Sequence, residues 1–300
     1  MSKSQETADM EAKLVLDAKA TLGEGALWHP EQHLLYWVDI EGKALHLYDP
    51  ASGEDKVWSV GSRIGTVVPV QGGGALVALQ SGIHRIDTDT GKLTFITNPI
   101  EEEDIRFNDG KCDPSGRFWV GTMALDTRKG AAALYRMEKD GSTEQVLDNL
   151  TIANGIVWTA DRKTMYFTDT RTQQVQAFDY DHETGAISNS RLVVEVPKAD
   201  GSPDGMTIDV DGNLWIALHG GGAVVCYDPA TGKLLQRVTV PTPQTTSCAF
   251  GGENLDTLYI TTAREGLDEE KLKKYPQSGG LFSVKPGVRG VPAHYFVGAV

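Results

Sequence analysis

Apolar and polar positions alternate along most of this chain in runs of five to eight residues, separated by turn formers. In "SPDGMTIDVDGNLWIALHG", residues 202–220, two such runs flank Asp211–Gly212, which is the pattern of a β-hairpin. Five other stretches share the form. The six begin at Glu24 ("EGALWHPEQHLLYWVDI"), Ile64 ("IGTVVPVQGGGALVAL"), Asn108 ("NDGKCDPSGRFWVGTM"), Asn154 ("NGIVWTADRKTMYFTDT"), Asp204, and near Thr246 ("TSCAFGGENLDTLYITT"). Their spacings are 40, 44, 46, 50 and 42 residues. A second hairpin follows five of them, as in "LHLYDPASGE", "IHRIDTDTGKL" and "VVCYDPATGKL".

Four short strands every 40 to 50 residues, six times over, predict an all-β chain folded as a six-bladed β-propeller. Helix is scarce, and the one candidate is Asp268–Tyr275, with Asp268 as its cap and Pro276 as its stop. The strand "GGLFSV", residues 279–284, lacks a partner in its own repeat. The early run "KLVLDA", residues 13–18, is expected to supply it, because an open edge strand invites aggregation. Residues 1–12 are expected to be loosely attached, and 13–300 to form a single propeller domain.

Composition narrows the function classes. A formal net charge of −13 without a basic cluster argues against nucleic acid, whose binding rests on Lys and Arg. Nothing approaches the roughly 18 apolar residues of a membrane helix, and the polar start "MSKSQETADMEAK" has no signal-like apolar stretch. A cytoplasmic protein is expected, with Cys112, Cys226 and Cys248 as free core thiols. Oligomeric state leaves no trace in the sequence.

In a propeller the first strand of every blade lines the central channel. Residues just ahead of those strands therefore gather at one mouth: Glu24, Ile64, Asn108, Asn154, Asp204 and Thr246. A lone Asn-Gly or Asp-Gly is ordinarily a turn in which Gly supplies a positive φ. Here the polar residue keeps a fixed phase, since Asp204 precedes Trp215, and Asn108 precedes Trp119, by eleven residues. Two carboxylates, two amides and a hydroxyl around one axis are oxygen donors suited to a divalent cation. Without one, the two carboxylates would repel. "DVDGN", residues 209–213, lacks the Gly and Glu of a calcium loop and reads as a turn. His219 ends an inner strand and is a further candidate for substrate contact.

The motifs "LGEGALWHP", "RFNDGKCDPSGRFWVGTM", "NGIVWT", "PDGMTIDVDGNLWIA" and "TTSCAFGGENLDTLYITTAREGLDEEKLKKYPQSGGLF" resemble those of the SMP-30/gluconolactonase family, which includes regucalcin and bacterial sugar lactonases. The resemblance runs from about Leu22 to Val284. It implies a six-bladed propeller with one divalent metal ion, such as Ca, Zn, Mn or Fe, bound by Glu24, Asn154 and Asp204. Substrate would be held by Arg106 and Asn108. Asp126 would contact sugar hydroxyls where regucalcin has Glu, on a side chain one methylene shorter. The implied activity is hydrolysis of sugar (aldono-) lactones, with Asp204 as general base as well as ligand. Two other readings keep the same residues: a non-catalytic calcium-binding regulatory protein, and a phosphotriesterase or aryl-ester hydrolase on the same fold.

Overall fold

The computed structural model describes residues 10–299. Six sheets, each built on four antiparallel strands and one of them, blade 5, extended by a short fifth strand, form the blades of a propeller. Their first strands are Gly23–His29, Ile64–Pro69, Ile105–Cys112, Ala153–Trp158, Ser202–Ile208 and Thr245–Gly251. Burial follows position in the blade. In blade 5 the strands Leu214–His219 and Ala223–Asp228 are buried nearly throughout, whereas the outermost, Lys233–Thr239, is mostly exposed. The two middle strands of a blade are covered on both faces by neighbouring blades, so their sequences are largely apolar. The core is correspondingly divided into six apolar clusters, one at each blade–blade contact. Val68 and Leu76 meet Phe107 and Phe118 between blades 2 and 3, and Trp28 and Trp37 meet Tyr259 between blades 1 and 6.

The eleven-residue phase has a structural component. Asp113 and Asp209 each accept a hydrogen bond from an indole six residues later, Trp119 and Trp215, both at 2.9 Å. Their other oxygens cap the hairpin amides of Ser115, Arg117, Asp211 and Asn213 at 2.9–3.0 Å. Each aspartate thus ties a turn to a buried ring, and "DVDGN" is a turn as expected.

Lys13–Leu16 pairs antiparallel with Leu281–Val284 and completes the last blade. A helix spans Glu269–Lys274, with the Asp268 carboxylate accepting from the Lys271 amide. Of the segment 1–12, residues 1–9 lie outside the described residues. Met10–Glu11, by contrast, pairs in parallel with Val238 and Thr239, and Ala12 is buried, so attachment begins earlier than the sequence suggests. Two residues added to an outer strand leave no alternation to read.

The last residues, 285–299, have no counterpart in the repeat reading. They cross the mouth of the channel at the far ends of the first strands. Gly290 bridges Asp209, and Phe296 bridges Val70 and is fully buried between blades 2 and 3. Beneath this strap lies a small, largely apolar cavity of about 60 Å³, lined by Trp28, Trp158, Ile208 and Phe250.

Candidate active site

At the opposite mouth the first strand of every blade breaks register. The breaks fall between Glu24 and Leu27, Ile64 and Thr66, Phe107 and Gly110, Ala153 and Ile156, Pro203 and Met206, and Thr245 and Ser247. A bulge places extra backbone in one strand and re-aims its side chains. The expected ring therefore lies inside the first strands, at their bulges, rather than in turns ahead of them. The glycines that follow act differently from turn glycines. A Cβ on Gly205 would stand 2.5 Å from Ser247 Oγ, and one on Gly155 would stand 2.7 Å from the Asp204 carbonyl oxygen. Neither has a positive φ; each lets neighbouring blades approach at the axis. Gly25, at φ +60°, instead uses glycine's conformational freedom.

Four of the six ring positions line a cavity of about 530 Å³: Glu24, Asn108, Asn154 and Asp204. Ile64 packs into the core between blades 1 and 2. Thr246 is buried, with its hydroxyl bonded to the Gly23 carbonyl and to Thr261 at 2.9 Å, so it holds the Glu24 strand rather than facing the cavity. The structure adds Asp109, which pattern reading passed over because it directly follows Asn108. It occupies the second bulge position of blade 3, where blades 4 and 5 carry Gly155 and Gly205.

Three buried oxygens on this axis have no hydrogen-bond partner: Asp204 Oδ1, Asn154 Oδ1 and Asp109 Oδ2. Gln244 Oε1, higher on the cavity wall, is likewise without a partner, whereas several polar atoms beside the three are tied down. Gly25 N donates to Glu24 Oε2 at 2.9 Å, Gly110 N to Asp109 Oδ1 at 2.8 Å, and Asn154 Nδ2 to Thr170 Oγ1 at 3.1 Å. Burial, then the charges of Glu24 and Asp109, push Asp204 well above the usual carboxylate range. Glu24 is raised likewise, by burial first and by Asp109 next. Unpaired buried acceptors each cost a desolvation penalty of about 1–3 kcal/mol, and oxygens concentrated on one axis are of a kind that suits a cation. No cluster of three or more His, Cys, Asp or Glu side chains placed for a metal occurs among the described residues. The donor set here is two carboxylates and an amide.

Arg106 and Asn108 sit beside that set as a unit. Arg106 Nη1 donates to Asn108 Oδ1 at 2.8 Å and to the Phe107 carbonyl at 2.9 Å, and Asn108 Nδ2 donates to the Ala153 carbonyl at 2.8 Å. Burial draws the guanidinium below its usual value, against the pull of Glu24, Glu265 and Glu41. His219 also lines the cavity, and burial together with the charge of Arg171 keeps it below its usual value. Asp126 is not brought to the others. Its carboxylate is 64% exposed and pairs with Arg128 at 3.1 Å, and Arg128 is in turn anchored on Asp104. Leu125 and Thr127, on either side of it, line the cavity instead.

All three cysteines are free and buried, with burial raising each thiol, so none is poised as a nucleophile. No helix among the described residues is long and apolar enough to cross a membrane.

A six-bladed propeller with a polar site of unpaired buried oxygens at one channel mouth defines the structural class. Residues 22–264 match the model of the SMP-30/Gluconolactonase/LRE-like region, and the chain belongs to that family. It is 39% identical over 292 residues to YvrE of Bacillus subtilis (strain 168), provisionally named a sugar lactone lactonase, covering 97% of this chain and all of that one. Regucalcin of Danio rerio is 37% identical over 294 residues, with the same coverage. Among solved structures, a regucalcin from Agrobacterium tumefaciens, described as a calcium-binding protein, superposes with a TM-score of 0.91 at 30% identity, over 96% of this chain and 98% of that one.

Proposed function

We propose that this protein hydrolyses sugar lactones to aldonic acids with the help of one divalent metal ion held by Glu24, Asn154 and Asp204. The observation that carries the reading is the group of partnerless buried oxygens beside a buried Arg106–Asn108 pair, on the floor of a cavity large enough for a sugar ring. When bound, the ion supplies Lewis-acid polarisation and lowers the pKa of water. The chain's own residues supply positioning and proton transfer. Arg106 and Asn108, already locked to each other and to blade 4, orient the lactone through its hydroxyl and carbonyl oxygens. Asp204 Oδ1, with no competing donor, accepts the proton of the attacking water as the new C–O bond forms at the carbonyl carbon. The ring C–O bond then breaks, and the leaving ring oxygen takes up that proton, leaving a carboxylic acid and a free hydroxyl.

A test panel sets an aldonolactone against a phosphotriester and an aryl ester, each with and without chelator. Turnover of the lactone alone, abolished by chelator, is expected. A preference for the phosphotriester or aryl ester would replace lactonase by one of those activities. Calcium uptake without turnover of any substrate would leave a binding protein.

A further inference from the structure

The two walls of the cavity differ in charge. On the side of blades 1, 2 and 6 stand Glu41, Arg63 and Glu265, with Arg63 neutralised by Glu41 at 2.7 Å. On the side of blades 3, 4 and 5, above Asp204 on the cavity floor, stand Arg171, His219 and the hydroxyls of Thr127, Thr170 and Ser202, and Asp204 is the one carboxylate lining that side. The two acids nearest in sequence to that wall are engaged elsewhere. Asp126 is paired with Arg128, and Asp169 accepts from the amides of Thr151 and Ile152 at 2.9 and 3.0 Å.

Arg171 projects from the short 3-10 turn Thr170–Thr172, which the Asp169 carboxylate caps. Its guanidinium makes one hydrogen bond, to Thr127 Oγ1 at 3.3 Å, and has no ion-pair partner among the described residues. Thr127 has φ +56°, a conformation that costs a β-branched residue free energy. That strained turn places the Thr127 hydroxyl on the cavity wall beside Arg171 while Asp126 faces outward.

We infer that this wall is an anion subsite, and that the lactone bound here carries a carboxylate or phosphate at the end remote from its ring carbonyl, held by Arg171. The inference rests on the lactonase reading. A fork of guanidinium donors flanked by hydroxyls matches the oxygens of either anion.

The test compares kcat/KM for glucono-1,5-lactone with that for its 6-carboxylate, glucaro-1,5-lactone, and its 6-phosphate. A charge-assisted contact of this kind predicts a preference of about tenfold or more for one anionic form, and the stronger arm names the anion. The preference should shrink with added salt. In Arg171→Gln the ratio should fall towards one, and in Arg171→Glu it should invert. Binding without turnover gives an independent readout: by calorimetry, glucarate or 6-phosphogluconate should bind more tightly than gluconate, and Arg171→Gln should erase the difference. A wild-type enzyme indifferent to the remote charge, or a ratio unmoved by either variant, would overturn the subsite. If none of the lactones is hydrolysed, the lactonase reading fails and the calorimetric comparison still decides the role of Arg171.

Discussion

The two mouths of the channel are built from the same six strands and have opposite chemistry. At the near mouth the bulges turn Glu24, Asn154 and Asp204 inward and leave oxygens without partners. At the far mouth the same strands end in Trp28, Trp158, Ile208 and Phe250, and residues 285–299 cross over them. One end carries acceptors that no protein donor satisfies, and the other buries apolar surface that water would otherwise meet. Function and stability are thus separated along the axis, and a lesion at one end should leave the property of the other largely intact.

The largest expected effect tests the near mouth. Asp204→Asn keeps an oxygen donor of similar size but accepts no proton. At saturating metal, verified by elemental analysis, kcat should fall about 10²- to 10⁴-fold while the thermal unfolding midpoint matches that of the wild type. Full recovery of kcat by added metal would reduce Asp204 to a ligand.

Breaking the far mouth should do the reverse. Phe296→Ala removes a fully buried ring between blades 2 and 3 and should cost about 3–5 kcal/mol of stability, read from denaturant unfolding. The kcat of the folded fraction should stay close to wild type. A loss of kcat larger than the loss of folded protein would show that the two mouths are coupled.

A second far-mouth element is the Asp209–Trp215 tie, at the end of the first strand of blade 5. Asp209→Asn still accepts from the indole but weakens the charge-assisted capping of Asp211 and Asn213, for an expected loss of about 1–2 kcal/mol. Metal affinity should not change, because the tie sits beyond the bulge that aims Asp204. A drop in metal affinity would mean that the hairpin, and not the bulge alone, positions that carboxylate.

The smallest effect should come from Asp126→Ala. An exposed carboxylate outside the cavity is worth within about 0.5 kcal/mol, so kcat/KM for any lactone should move by no more than about twofold. A larger loss would place Asp126 back among the substrate contacts that the family resemblance implies.

Much of this was legible in the sequence. Two-residue alternation, hairpin turns and a period of 40 to 50 residues are local signals, and six repeats admit few closed arrangements. The strand that closes the last blade could be read because an unpaired edge demands a partner. The shared phase of Glu24, Asn154 and Asp204 turned one-dimensional spacing into one end of a channel. What the pattern could not show was decided by contacts between distant segments. Whether a residue beside a glycine faces the axis or the core depends on where the register breaks, and this separated Asp204 from Ile64 and Thr246 and brought Asp109 inward. The fate of Asp126 was settled by Arg128 and Asp104 rather than by its motif. The strap 285–299 has no alternation of its own, because its side chains fill gaps whose shape is set by four other blades. Periodicity reports the geometry of a strand, whereas the direction of a side chain at a bulge, and the partner it meets there, exist only after the blades have packed.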